Sequence, residues 1–360
     1  MHNRAANRLR TNFKKFLAIA KSVFRDDINK QGNFRFYSNK PKMSDIQIIT
    51  LACLAESLSI DRAANRSENW LFGRLRSDYP KLFPNLIHRT TYNRRRRRLS
   101  EKTAQLSKLV CLKFSGTDSQ YVIDSIPVPI CQKPRISRLK ICRDDELVLP
   151  STAWHASHKN YYHGYKMHLV ISQSGFPFAA GMTTASMHDS QYIPFLKHDH
   201  LPECELLADR GYISAGQQLT LFQQTGVKII TPLKANMKIK NLWNYQRRKT
   251  RKTIETLFSQ LCDQQLLKRN YAKTSDGLFA RIVAKIAWGK DMLKLPWLLI
   301  ADPGPGKPFP VFAPSTFRIW PSFCCVVIEK FDSFRVRRSL LQKINLDMNF
   351  VRRAPASEAS

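Results

Sequence analysis

The stretch Tyr121-Val122-Ile123-Asp124-Ser125-Ile126-Pro127 decides how the rest of the chain is read. Three apolar β-formers run into a carboxylate, and Pro127 and Pro129 are expected to end the strand, since proline cannot donate to a sheet ladder. An unbroken apolar run of this kind predicts a strand covered on both faces. A charge at its end needs a partner, because a bare buried carboxylate is costly. The arrangement recurs at Leu206-Leu207-Ala208-Asp209-Arg210-Gly211-Tyr212. Two strand-end aspartates of one sheet can converge on a point, and a divalent cation is the usual reason to gather them.

Outward from these strands the pattern is α/β. Tyr165–Ile171 and Phe176–Thr184 form a predicted hairpin about the turn Ser172–Gly175. A short helix is expected around Tyr192–His198, and a longer one from Ser214 to Thr225 with Gly226 as its C-cap. Val227–Ile230 is a further β-run, and the intervening 131–160 is expected to be a long basic loop. After a basic linker (Lys234–Lys252), Ile254, Leu257, Phe258 and Leu261 recur at the spacing of a helix packed on a core. Glu255 sits at the edge of that stripe. Residues 278–299 give a last apolar helix, with Arg281, Lys285 and Lys290 expected on its wetter side.

Residues 1–110 carry helical signals. Ser44 with Gln47 is a capping-box pair ahead of the apolar run from Ile46 to Leu54. Arg94, Arg95, Arg96, Arg97 and Arg98 then stand consecutively. The ordinary reading of such a run is a solvated face; in this chain, phosphate contact is favoured. The division is therefore 1–110 helical and DNA-binding, 111–300 catalytic, and 301–360 a proline-rich tail. Six prolines fall within 301–321, so that tail is expected to be poorly ordered.

Composition points the same way. With 59 Lys+Arg against 27 Asp+Glu, the net charge is +32, which predicts a polyanionic partner, nucleic acid above all. The eight cysteines contain no Cys-x-x-Cys pair, which argues against a disulfide framework or a thiolate zinc site and suits a reducing cytoplasm. No run approaches the ~20 apolar residues of a membrane span. The histidines His155, His158, His163, His168 and His188 offer a rival zinc site, less favoured for want of a matching cysteine set.

Asp124, Asp209 and Glu255 thus form a candidate triad: three carboxylates can hold two Mg²⁺ roughly 4 Å apart for phosphoryl transfer, and hard cations choose oxygen over nitrogen or sulfur. At this point the chain resembles the DDE transposases of bacterial insertion sequences, most closely the insertion sequence 982 family. The pieces are YVIDSIPV, HGYKMHLVIS with GFPFAAGMTTASMHD, LLADRGY and RKTIETLFSQL, joined by MSDIQIITLACLAE and RTTYNRRRRRL. They span roughly residues 40–298. The resemblance implies a ribonuclease H-like mixed sheet with flanking helices, preceded by an all-helical N-terminal region. It implies Asp124, Asp209 and Glu255 as catalytic metal ligands for two Mg²⁺ ions, with Mn²⁺ as a substitute. It further implies binding of terminal inverted repeats, cleavage at the element ends and joining to target DNA, by a homo-oligomer at the bacterial nucleoid. Lys166, Arg210, Arg251 and Lys252, within or beside these motifs, are candidate DNA contacts. In the related pattern Y-x2-R-x3-E-x6-K, Arg251 holds the arginine position, whereas Arg248 and Cys262 stand where tyrosine and lysine would be. A metal-dependent nuclease and a catalytically decayed DNA-binding protein of the same fold are the alternatives.

Overall fold

Strand β1 (Gln120–Gln132) is the axis on which the catalytic half is assembled. The structure, a computed structural model, describes residues 2–57, 67–115, 118–144, 149–155, 159–232, 245–269 and 272–287. The expectations for the tail 301–360, for His158, for Lys290 and for most of the basic linker lie outside these residues. β1 pairs antiparallel with β3 (Asn160–Ser172) from Tyr121 to Gln132, and parallel with β5 (Glu205–Leu207) at Gln120–Val122. On the far side of β3, β2 (Ser151–His155) and β4 (Pro177–Thr184) pair with its two successive halves. β6 (Lys228–Ile230) pairs parallel with β5 and completes a six-stranded mixed sheet.

The hairpin of β3 and β4 is as expected, turned by Gly175 at φ +88°, a conformation that a side chain would disfavour. Pro127 and Pro129, however, do not end β1. Pairing with β5 stops at Val122, so one edge of β1 is open beyond it, and an edge tolerates residues that lack an N–H. A register irregularity between Pro129 and Cys131 absorbs the rest. Nor is 131–160 simply a loop: a 3-10 turn, Lys133–Arg138, and β2 lie within it.

Period-two alternation divides the sheet's faces. Val122, Ile126, Val128 and Leu207 pack against Ile254, Leu257, Phe258 and Leu261 of α7 (Tyr245–Asp263), and against Leu278, Ile282 and Ile286 of α8 (Ser275–Ala287). On the other face, Tyr121, Ile123, Leu206 and Ala208 meet Leu221 of α6 (Ala215–Thr225), together with Tyr192, Ile193 and Leu196 of the 3-10 helix Asp189–Asp199. Gly226 caps α6 at φ +72°, as the sequence predicts.

The N-terminal helices are α1 (His2–Val23), α2 (Asp45–Ser57), α3 (Glu68–Asp78), α4 (Arg89–Arg98) and α5 (Ser100–Ser115). Ser44 and Gln47 form the reciprocal capping box ahead of α2, with Ser44 N–H donating to Gln47 Oε1 at 2.8 Å and Gln47 N–H to Ser44 Oγ at 3.3 Å. These helices share a core that also takes in Ala284 and Ala287 of α8. α5 crosses residue 110 and reaches the sheet, where Phe114 stacks on Phe176 at 6.2 Å, so no linker separates the helical region from the sheet at that point.

One correction concerns α8. Arg281 and Lys285 are buried rather than on a wet side: both contact Glu56 of α2, at 3.0 Å and 2.7 Å. Arg96 lies 3.8 Å from the same carboxylate. The period alone could not show this, because it cannot reveal a buried acid on another helix. No helix among the described residues is long and apolar enough to cross a membrane.

Candidate active site

The parallel register of β1 and β5 places the two aspartates. Val122 faces Leu207, and two residues beyond each comes Asp124 and Asp209, side by side at the end of the paired segment. Because alternate residues share a face, both carboxylates project toward α7, as Val122 and Leu207 do. On α7, Arg251 stands one turn before Glu255, while Ile254, Leu257 and Phe258 anchor the helix on the sheet.

These elements gather the three acids around one guanidinium. Arg251 Nη2 lies 3.4 Å from Asp124 Oδ2 and 3.7 Å from Asp209 Oδ2, and Arg251 Nη1 lies 3.8 Å from Glu255 Oε1. Asp124 is the deepest of them, its side chain 17% exposed, against 48% for Asp209 and 55% for Glu255. Burial pushes the Asp124 carboxyl up to about 6, against the pull of Arg251 and of the Ser125 N–H, which donates to Oδ1 at 2.8 Å. Asp209 and Asp189 add to the upward push.

The donor set is all oxygen, the chemistry that Mg²⁺ or Mn²⁺ requires. Among the described residues, no three acids or imidazoles already close around an ion-sized point. The residues fit divalent ions in kind, and Arg251 supplies the positive charge between them.

A fourth acid, Asp189, completes the surroundings, and sequence reasoning did not single it out. Its Oδ1 accepts from Lys166 Nζ at 2.9 Å and from Ser125 Oγ at 3.2 Å. Lys166 also donates to the Met187 carbonyl at 2.8 Å, so this candidate DNA contact is held inward by partners of its own. The glycine of the Asp209-Arg210-Gly211 turn makes the approach possible: a Cβ at Gly211 would stand 2.8 Å from Asp189 Oδ2. The one signal in the sequence was an acid just after the hairpin, in a chain where acids are scarce.

Of the other candidates, Arg210 and Lys252 are exposed beside Asp209 and Arg251. The arginine run divides. Arg94, Arg97 and Arg98 face solvent. Arg95 donates to the Met43 carbonyl and to Asp45 Oδ1, each at 2.6 Å, and Arg96 lies between Glu68 at 3.2 Å and Glu56 at 3.8 Å. Arg95 and Arg96 therefore fasten α4 to α2 and α3, and the phosphate-contact expectation passes to the other three.

Among the described residues, the histidines do not gather. His168 is buried, stacked on Tyr192 at 4.1 Å, and its two nitrogens meet Tyr212 Oη at 2.8 Å and Thr183 Oγ1 at 3.0 Å. Burial lowers it to about 3, so it is a neutral core residue at pH 7. His163 pairs with Thr152 at 3.0 Å, and His188 caps the 3-10 helix that follows it.

Two acids set side by side just past the paired segment of parallel strands, with a third on a packed helix, are an arrangement that metal-dependent phosphoryl transfer can use. Residues 114–272 match the family described as a transposase DDE domain, and that match supports a DDE-type transposase enzyme. Transposases of this kind act on DNA and generally use divalent metal ions. Neither the curated proteins nor the solved structures contain a match.

Proposed function

We propose that Asp124, Asp209 and Glu255 are the catalytic metal ligands of an insertion-sequence transposase of the 982 type, built on a ribonuclease H-like core. The observation that carries this is the convergence of the three carboxylates on Arg251, two of them from equivalent positions of paired parallel strands. The strand order supports the fold: three antiparallel pairings on one side of β1 and two parallel ones on the other. Two bound Mg²⁺ ions, or Mn²⁺ in their place, supply the Lewis acidity that activates an attacking oxygen and stabilises the leaving one at phosphorus. The chain's own residues hold and orient. Arg251 offsets the mutual repulsion of the acids, the Ser125 N–H fixes one Asp124 oxygen, and α7 carries Glu255 against the sheet. Exposed Arg94, Arg97, Arg98, Arg210 and Lys252 grip phosphates of the terminal inverted repeats. Cleavage at the element ends and joining to target DNA follow at the one site, in a homo-oligomer on DNA at the nucleoid in the cytoplasm.

The test is a labelled element end incubated with the purified chain and Mg²⁺. Asp124→Asn, Asp209→Asn and Glu255→Gln should each remove cleavage while leaving duplex binding within a few-fold, because a metal ligand is lost and the phosphate contacts are not. Equal loss of binding and cleavage would overturn this division of labour. Cleavage without joined products would mark the protein as a nuclease.

A further inference from the structure

β2 and β3 carry an aromatic pair that the catalytic site does not use. Trp154 and Tyr161 lie directly opposite each other in the β2–β3 register, their ring centroids 4.9 Å apart and tilted by 66°. Both are large and apolar, yet Trp154 is 52% and Tyr161 49% exposed. Packing does not explain them: the neighbouring Tyr162 and Tyr165 are the residues of β3 that turn inward. Lys133 Nζ sits 4.8 Å over the Tyr161 ring, a cation–π contact that ties the pair to the 3-10 turn after β1. That turn also exposes Arg135 and Arg138, and between Ile126 and Arg143 the chain has no acidic residue at all.

Exposed aromatic rings beside a strip of cations, with no acid among them, match a single-stranded nucleic acid: rings stack on bases and cations follow the phosphates. A paired base presents only its edge in a groove, so a ring platform gains little from an intact duplex. We propose that Trp154 and Tyr161 form a stacking platform for an unpaired nucleobase of DNA, with Lys133, Arg135 and Arg138 on the adjoining phosphates. The proposal rests on the DNA-processing role above and adds to it a binding site for locally opened DNA. β3 sets its distance from the acids. Tyr161 lies eight residues along β3 from Leu169, the partner of Asp124, a separation of about 26 Å at ~3.3 Å per residue. The platform therefore serves a base several nucleotides from the scissile phosphate, not the reacting one.

The experiment compares two fluorescent duplexes, one fully paired and one with a short run of unpaired thymines, using the full chain without divalent ions so that no cleavage step enters. The wild-type protein should prefer the unpaired-base duplex. Trp154→Ala should cost roughly ten-fold in affinity for that probe, leave the fully paired one within two-fold, and be largely rescued in Trp154→Phe. Melting temperature checks the fold of each variant. As a second readout, 2-aminopurine at the unpaired position should be quenched on binding to the wild-type protein. Equal loss on both probes, no loss on either, or absence of quenching would overturn the proposal. So would unchanged DNA affinity with loss of self-association in sedimentation equilibrium, which would assign the aromatic pair to an interface between copies. Failure of cleavage by the wild-type protein would sink the catalytic reading without touching this measurement.

Discussion

Arg251 lies where the three acids meet, and its placement explains why a chain with 27 acidic residues can set three of them together. Unpaired, Asp124, Asp209 and Glu255 would repel across a partly buried space; the guanidinium lies within 4 Å of all three. Asp189 plays a different part. It holds Lys166 and the hydroxyl of Ser125, the residue whose N–H fixes Asp124. Removing a group that orients a ligand commonly costs 10–100-fold in metal affinity or activity. Asp189→Ala should therefore slow single-turnover cleavage by roughly that factor with duplex binding unchanged. Lys166→Ala should produce a similar loss, and the double variant should be no worse than either single one, because the two act as a unit. Additive losses would show that Lys166 contacts DNA independently of Asp189.

At the scale of the element, α4 shows how a run of one residue type divides when it folds. A helix turns 100° per residue, so five consecutive arginines cannot share a face. Arg95 and Arg96 point into the helical core, where Asp45, Glu56 and Glu68 wait, and Arg94, Arg97 and Arg98 point out. Replacing those three with glutamine should weaken binding on all sequences and lower the log–log salt slope by about 0.9 per lost contact. Replacing Arg95 or Arg96 should instead lower the melting temperature. Here the limits of the sequence are visible. The stripe of α7, the capping box of α2 and the strand-end position of Asp209 were legible, because each is a local pattern with a local cause. The continuation of β1 through two prolines was not, since it depends on where β5 departs. Nor was the inward turn of Arg95, Arg96, Arg281 and Lys285, since their counter-charges lie 28 to over 200 residues away in sequence.

The helical region and the sheet are joined at molecular scale through Glu56. This carboxylate of α2 is fully enclosed, and Arg96 of α4 with Arg281 and Lys285 of α8 close around it. α8 also lines the core beneath the active-site face, so the cluster couples the arginine helix to the sheet that bears the aspartates. Burial alone would raise the Glu56 carboxyl; Arg281, Lys285 and Arg96 outweigh it and bring the group down to about 2. A carboxylate whose folded value is depressed contributes stability that is fully present above its unfolded value. That contribution is lost as pH falls through the folded value. The window here runs from about pH 4.5 down to about 2. Denaturant titrations of the wild-type chain should show stability falling across that window, and Glu56→Gln should flatten the fall. At pH 7 the same substitution removes the carboxylate that buried Arg281 and Lys285 contact, and breaking a buried ion pair typically costs 3–5 kcal/mol. It should act on both halves at once, lowering a single cooperative transition. Two separate transitions, with only the helical one shifted, would show that the cluster does not hold the halves together.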